Sequence, residues 1–405
     1  TVSLTTTGTG NAITQNVSGV ITAGSLALTT TNANATLDTA TNVVTALGTV
    51  SLGAGAFALK TDTIAGFTVN GGGITANGGV AITNTTGGIT TSGTITASAG
   101  AVTLNATASG KGLTIGGAIT GVGVTLQSNT ALSIGGNVSA GTGTLSLTTT
   151  GAGQAITQSA GTLTAGTLTV STSDGNATLN GGTNAITKLG AVSLGTGALN
   201  LLDAGGLTVT GAVAASGGVT LSTSGALAIN AALNGGAGTV SLTTTGAGNA
   251  VTQSAGVITA GTLTVSTSNA NATLGQTNAV TSLGTVSLGT GAFSLVDAGG
   301  LTVTGTVAAS GGITLRADGA LSILAPLNAG MATVSLTTNL PGNAISQNGA
   351  GIITAGTLVL TTNNSSASLI ASNAVTDLGA VSLGSGDLVF NDAGGFAVTG
   401  AVIAT

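Results

Sequence analysis

The opening fifteen residues, TVSLTTTGTGNAITQ, return as TLSLTTTGAGQAITQ from Thr144, TVSLTTTGAGNAVTQ from Thr239 and TVSLTTNLPGNAISQ from Thr333. A chain that repeats itself over a long period grows by adding equivalent units, each too small to enclose a core alone. The 405 residues are therefore expected to form one continuous rod, 1–405, in place of the two or three globular domains that such a length ordinarily implies. The four starts lie 143, 95 and 94 residues apart, giving blocks 1–142, 143–237, 238–331 and an incomplete 332–405. The excess in the first block corresponds to two additional coils.

A shorter period runs inside the blocks. The chain divides into 17 coils of 21 to 30 residues, each with an apolar-x-apolar triplet near its start: Val2/Leu4, Leu26/Leu28, Val50/Leu52, Val80/Ile82 and so on to Val381/Leu383. Strand side chains alternate between faces, so Val2 and Leu4 point inward while Ser3 and Thr5 face water. The middle residue is Ser or Thr in all coils but those with Ala27, Ala81 and Val359. Alternation of two residues, recurring once per coil, is strand periodicity, and it predicts that each triplet stacks on its equivalent in the next coil. In GAVSLGTGALNLLDAGGLTVTGAVAAS from Gly190, three strands are legible: Val192 to Leu194, Leu199 to Leu201, and Leu207 to Val213. Gly-rich corners separate them, where positive φ or close approach excludes a Cβ. The expected fold is all-β: a parallel β-helix (β-solenoid) of about 17 coils, each of about 24 residues and three strands. An uncapped solenoid ends in an open strand edge. Only Asp387 and Asp392 stand near the last one, and no leader is visible. The chain is thus expected to be an internal piece whose rod continues, covalently or by self-association, beyond both ends.

Composition narrows the chemistry. Three Lys and one Arg against nine Asp, 3% charged residues in all, cannot assemble a basic surface, so no nucleic-acid partner is expected. Apolar residues alternate with Ser and Thr and never run for the roughly 18 to 20 residues that span a bilayer, so no membrane insertion of this segment is expected either. With no Cys, His, Glu, Trp or Tyr, no catalytic, cofactor-binding or metal-binding residue is assigned, and the chain is not expected to be an enzyme. At 42% hydrophobic residues it has the means to bury a core and be ordered.

The recurring polar residues are candidates for a structural ladder. Asp203, Asp297 and Asp392 recur in LLDAGG, LVDAGG and FNDAGG, four coils and about 19 Å apart, too far to share a metal. An Asp before a Gly-rich corner is expected to accept its own turn's N–H groups. Asn11, Gln154, Asn249 and Asn343, with Gln15, Gln158, Gln253 and Gln347 nearby, are expected to satisfy one another as amides stacked at strand spacing. Arg316 with Asp318, and Lys60 with Asp62, are expected to be surface ion pairs, and Phe57, Phe67, Phe293 and Phe396 to fill the core. The sequons at Asn34, Asn176 and Asn271 follow from composition. An ice-binding surface needs an unbroken double rank of Thr, but the second outward position changes from Thr5, Thr29, Thr148 and Thr243 to Gly53, Gly195, Gly289, Gln127 and Arg316.

The G-x-[VLI]-[ST]-L turns, the GNAITQ and TNAV segments, and GGLTVTG at 205–211 and 299–305 together resemble the repeat shafts of bacterial filamentous haemagglutinin-like exoproteins. These are secreted surface adhesins, exported by two-partner secretion or as autotransporters. The resemblance implies a right-handed β-helix, an extracellular location on the bacterial cell surface, and a shaft supporting adhesion or a biofilm matrix. Host or neighbouring-cell contacts would lie in regions outside this segment. The family's secretion domain, with its NPN-type motifs, and its translocator barrel have no counterpart here. An extracellular matrix or surface-layer fibre subunit assembling head-to-tail is the alternative, and an ice-binding solenoid a further one.

Overall fold

The computed structural model describes all residues 1–405. It contains no helix, its strands pair in parallel, and it divides into two compact units, Thr1–Gly205 and Gly206–Thr405. Both are wound as a β-solenoid, and across them the turns number about 19 at roughly 21 residues each. A turn has three strands: Phe293–Asp297, Leu301–Val303 and Val307–Ala308 are followed one turn later by Ile313–Ala317, Leu321–Ile323 and Leu327–Asn328. One face is long and two are short.

The core forms from in-register stacking of like on like. In the second unit Leu274, Leu295, Leu315, Leu336 and Leu360 are successive partners, all fully buried. Each such side chain gains about 1.5–3 kcal/mol from leaving water. The parallel ladder meanwhile satisfies the backbone groups that this burial takes out of solvent. Ser and Thr at the alternate positions point outward.

The turns are shorter and more numerous than the expected 17 coils of about 24 residues because the cross-section rotates. Val80, Val102, Val124, Leu145 and Leu168 stack as expected. Val50, however, pairs with Ile74, while Val80 pairs with Phe57. The coil from Gly48 holds parts of four strands, ending at Ser51 and then Phe57–Thr61, Phe67–Val69 and Ile74–Ala76. The strand expected over Leu207 to Val213 is likewise two, Leu207–Val209 and Val213–Ala215.

Val251 begins the strand after Val240, one face on, and Val251, Ala272, Phe293, Ile313 and Val334 are successive rungs. The 94 residues from Val240 to Val334 therefore span four turns plus one face. In the first unit, the rungs Ile13, Ala35, Phe57, Val80, Val102, Val124 and Leu145 put six turns plus one face between Val2 and Leu145.

One turn per block makes the rotation, and the strand Ala272–Ser287 shows how. Leu263 pairs with Leu283 and Val265 with Val286, leaving a bulge at Gly284. A Cβ at Gly284 would lie 2.9–3.0 Å from the methyls of Thr264 and Thr262, so glycine lets the bulge form without those side chains having to shift. Beyond the bulge the long face divides: Leu283 pairs with Val303, and Val286 with Val307. In the same turn two short faces merge, because Leu274 and Asn278 both find partners, Leu295 and Asp297, in one strand.

Candidate functional site

The merging corner is where the recurring polar residues gather. Residues 275–277 leave the ladder between Leu274 and Asn278, so some backbone groups lose their strand partners. The side chain of Asn278, fully buried, replaces them. Its Oδ1 accepts from Gln253 Nε2 at 2.7 Å and from Ile258 N at 2.9 Å. Its Nδ2 donates to Gln253 Oε1 at 3.2 Å, Gln276 O at 2.8 Å and Val296 O at 3.1 Å. Gln253 and Asn278 are thus a reciprocal amide pair joining adjacent turns.

The same pair recurs wherever the cross-section rotates. Gln158 and Asn184 exchange bonds of 2.8 and 3.0 Å, Gln347 and Asn373 bonds of 2.6 and 3.2 Å, and Gln15 and Asn42 bonds of 2.6 and 3.4 Å. A buried amide costs little only when all its groups are paired. Each Asn meets that condition by bonding the turns before and after its own.

One rung further stands the Asp. Asp297 is 1% exposed; its Oδ1 accepts Val280 N at 2.7 Å from the previous turn and its Oδ2 accepts Gly299 N at 2.9 Å from its own. Asp203 repeats this with Ile186 N at 2.7 Å and Gly205 N at 2.9 Å. The own-turn bond was expected; the cross-turn bond was not visible in the sequence. Burial pushes both carboxyls above the ordinary aspartate value despite these N–H donors, and nearby Asp318 adds to the effect at Asp297. In the first block Thr61 takes this place, its Oγ1 accepting Val44 N at 3.1 Å. At Asp392 burial is weak, and the N–H groups of Gly395, Val375 and Gly394 outweigh it, holding the carboxyl below its ordinary value.

Other expected ladder members behave differently. Val2 and Leu4 pair with Leu26 and Leu28 and are half-buried. Asn11 does not stack on Gln154, nor Asn249 on Asn343, because four or more turns separate the members of each pair. Asn249 Nδ2 donates to Ser224 O at 2.8 Å, Gln154 Nε2 to Ala152 O at 3.3 Å, and Asn343 Nδ2 to Leu340 O at 3.2 Å, while Asn11 lies in a tight turn against Gly8. The Gln side chains nearby do form amide stacks, with Asn partners 25 to 27 residues on. Asp297 and Asp392 are on adjacent faces, since the strand holding Asp392 stacks back to Leu301, Leu321, Ile345 and Ala367.

The expected ion pairs give way to other partners: Asp318 accepts from Asn339 Nδ2 at 2.5 Å, and Asp62 from the Thr86 hydroxyl. Phe57, Phe67 and Phe293 are buried as expected, but Phe396 is 41% exposed and packs edge-on against Phe390. Asn34, Asn176 and Asn271 are corner clamps, each Oδ1 accepting a backbone N–H of the next turn at 2.9 Å. The outward pairs Thr103/Asn105, Thr125/Gln127, Ser146/Thr148 and Thr169/Ser171 stack on one face, so two amides interrupt the double hydroxyl rank.

No group of three His, Cys, Asp or Glu side chains is placed to hold a metal ion, and no helix is long and apolar enough to cross a membrane. Compared with models of known families, with curated proteins and with solved structures, the chain matches none.

Proposed function

We propose that this chain is a structural shaft of a secreted bacterial surface filament or adhesin, supplying length and rigidity to cell-surface adhesion or a biofilm matrix. One observation carries this function: the recurring polar side chains, Gln253, Asn278 and Asp297 and their counterparts, are committed to bonds within and between turns. Side chains so engaged stitch a solenoid together and are not presented to a substrate. The likeness of the repeat words to haemagglutinin-like shafts points the same way. Partner contacts on host or neighbouring cells would then lie outside this segment, and the shaft itself needs neither cofactor nor nucleic acid.

The alternative is a matrix or surface-layer fibre subunit assembling head-to-tail, since turns that stack like on like in register within the chain can stack the same way between copies of it. Antibodies against residues 206–405 applied to intact producing cells test the location; surface label is expected, and label seen only after lysis would overturn the proposal. Sedimentation of the purified chain separates the two functions. Concentration-dependent end-to-end oligomers are expected of the fibre subunit, and a monomer at all concentrations removes it.

A further inference from the structure

The rotating turns differ from one another in one chemical respect. Where the first block places the neutral Thr61, later blocks place a carboxylate, and for Asp203 and Asp297 that carboxylate is 1% exposed. The sequence between Asp203 and Asp297 contains no charged residue at all. Around Asp297, the strands Ile258–Ser268, Ala272–Ser287 and Leu301–Val303 therefore offer no charge. The strand Ile313–Ala317 brings Arg316, which is paired with Val296 and exposed on the outer side, and it is followed by Asp318. Around Asp203, the strand Leu163–Ser173 carries no charge and is followed by Asp174, while Ala177–Gly195 carries the exposed Lys188. Neither buried carboxylate has a cation as partner; each is held by two backbone N–H groups alone.

We propose that the rotating turns carrying Asp203 and Asp297 are proton-sensitive clamps, tightened in acid and loosened towards neutral pH, and that the turn carrying Thr61 is not. Opening such a turn hydrates the carboxylate. The closed turn keeps its proton at a pH where the opened turn has lost it, so opening releases a proton and becomes easier as pH rises. The sign follows from burial without a cation, and the raised carboxyl values of both residues agree with it. A solenoid built this way carries two pH-dependent weak points and one counterpart that is pH-indifferent.

Hydrogen exchange on the full chain, corrected for the intrinsic pH dependence of amide exchange, tests this directly. The Val280, Gly299 and Ile186 amides, which donate to the carboxylates, are the reporters; the Val44 amide, which donates to Thr61 Oγ1, is the internal control. From the ordinary aspartate range upward, protection at the reporters is expected to fall by up to about tenfold per pH unit, until the closed turn has also lost its proton. Protection at Val44 stays level. Asp297→Thr, which copies the arrangement at Thr61, is expected to flatten the response at Val280 while leaving that at Ile186. Equal pH courses at Val280 and Val44 in the unmodified chain, or protection that rises with pH, would overturn the proposal whether or not the variant folds.

Discussion

At the scale of single residues, a few buried polar groups and close-packed glycines are positions where one substitution is expected to be costly. Asn278→Ala deletes a buried amide and leaves Gln253, Ile258 N and Val296 O without their partner. Losses of this kind run to about 3 kcal/mol, and chemical denaturation of the variant should show a drop of that order. An unchanged midpoint would mean that the pair is dispensable. Gly289 has φ of 60°, and a Cβ there would stand 2.1 Å from Asn269 Oδ1. Gly289→Ala should therefore cost more than the roughly 1–2 kcal/mol of the left-handed conformation itself. Adding Asn269→Gly should recover only the steric part, and a double-mutant cycle showing no coupling would contradict the contact. Asp392 has the opposite pH sign to Asp297. Its native value lies below the ordinary one, so its contribution is present above the ordinary aspartate range and is lost as pH falls below it.

At the scale of elements, the unit of construction is the turn of three strands, and the sequence words do not coincide with it. Excision of Ile313–Thr333 joins Gly312 to Val334, the next rung on the same ladder, and preserves every face. Such a chain is expected to keep its parallel-β circular dichroism and cooperative unfolding. Excision of a stretch three residues longer, matching the coil of about 24 residues expected from the sequence, shifts inward residues to the outer face and is expected to lower the melting temperature sharply. Equal stability of the two deletions would rule out the turn as the unit. The rotating turn is the element least legible beforehand. Its bulge glycine, Gly284, looks like any corner glycine in the sequence, and the use of Asn278 depends on a Gln in the preceding turn.

At the scale of the whole molecule, charge contributes little. With 3% charged residues, and with Asp318 and Asp62 bonded to neutral partners, little of the stability is electrostatic. The melting temperature should accordingly change little between low and about 0.5 M salt, where charged surfaces are screened; a large shift would reveal ionic contacts that hold turns together. The sequence by itself determined what is local: strand alternation, three strands to a turn, glycine corners, aliphatics such as Leu295 and Leu315 facing inward, and an Asp bonding its own corner. Those features follow from the two-residue pleat and from backbone sterics, which any short window displays. Only the tertiary structure decided that the 94 residues from Val240 to Val334 span four turns plus one face, that Gln253 meets Asn278, and that Asn249 and Asn343 do not stack. These depend on register between strands some 20 residues apart, fixed by which side chains and bulges fit across turns, and no local pattern carries that information.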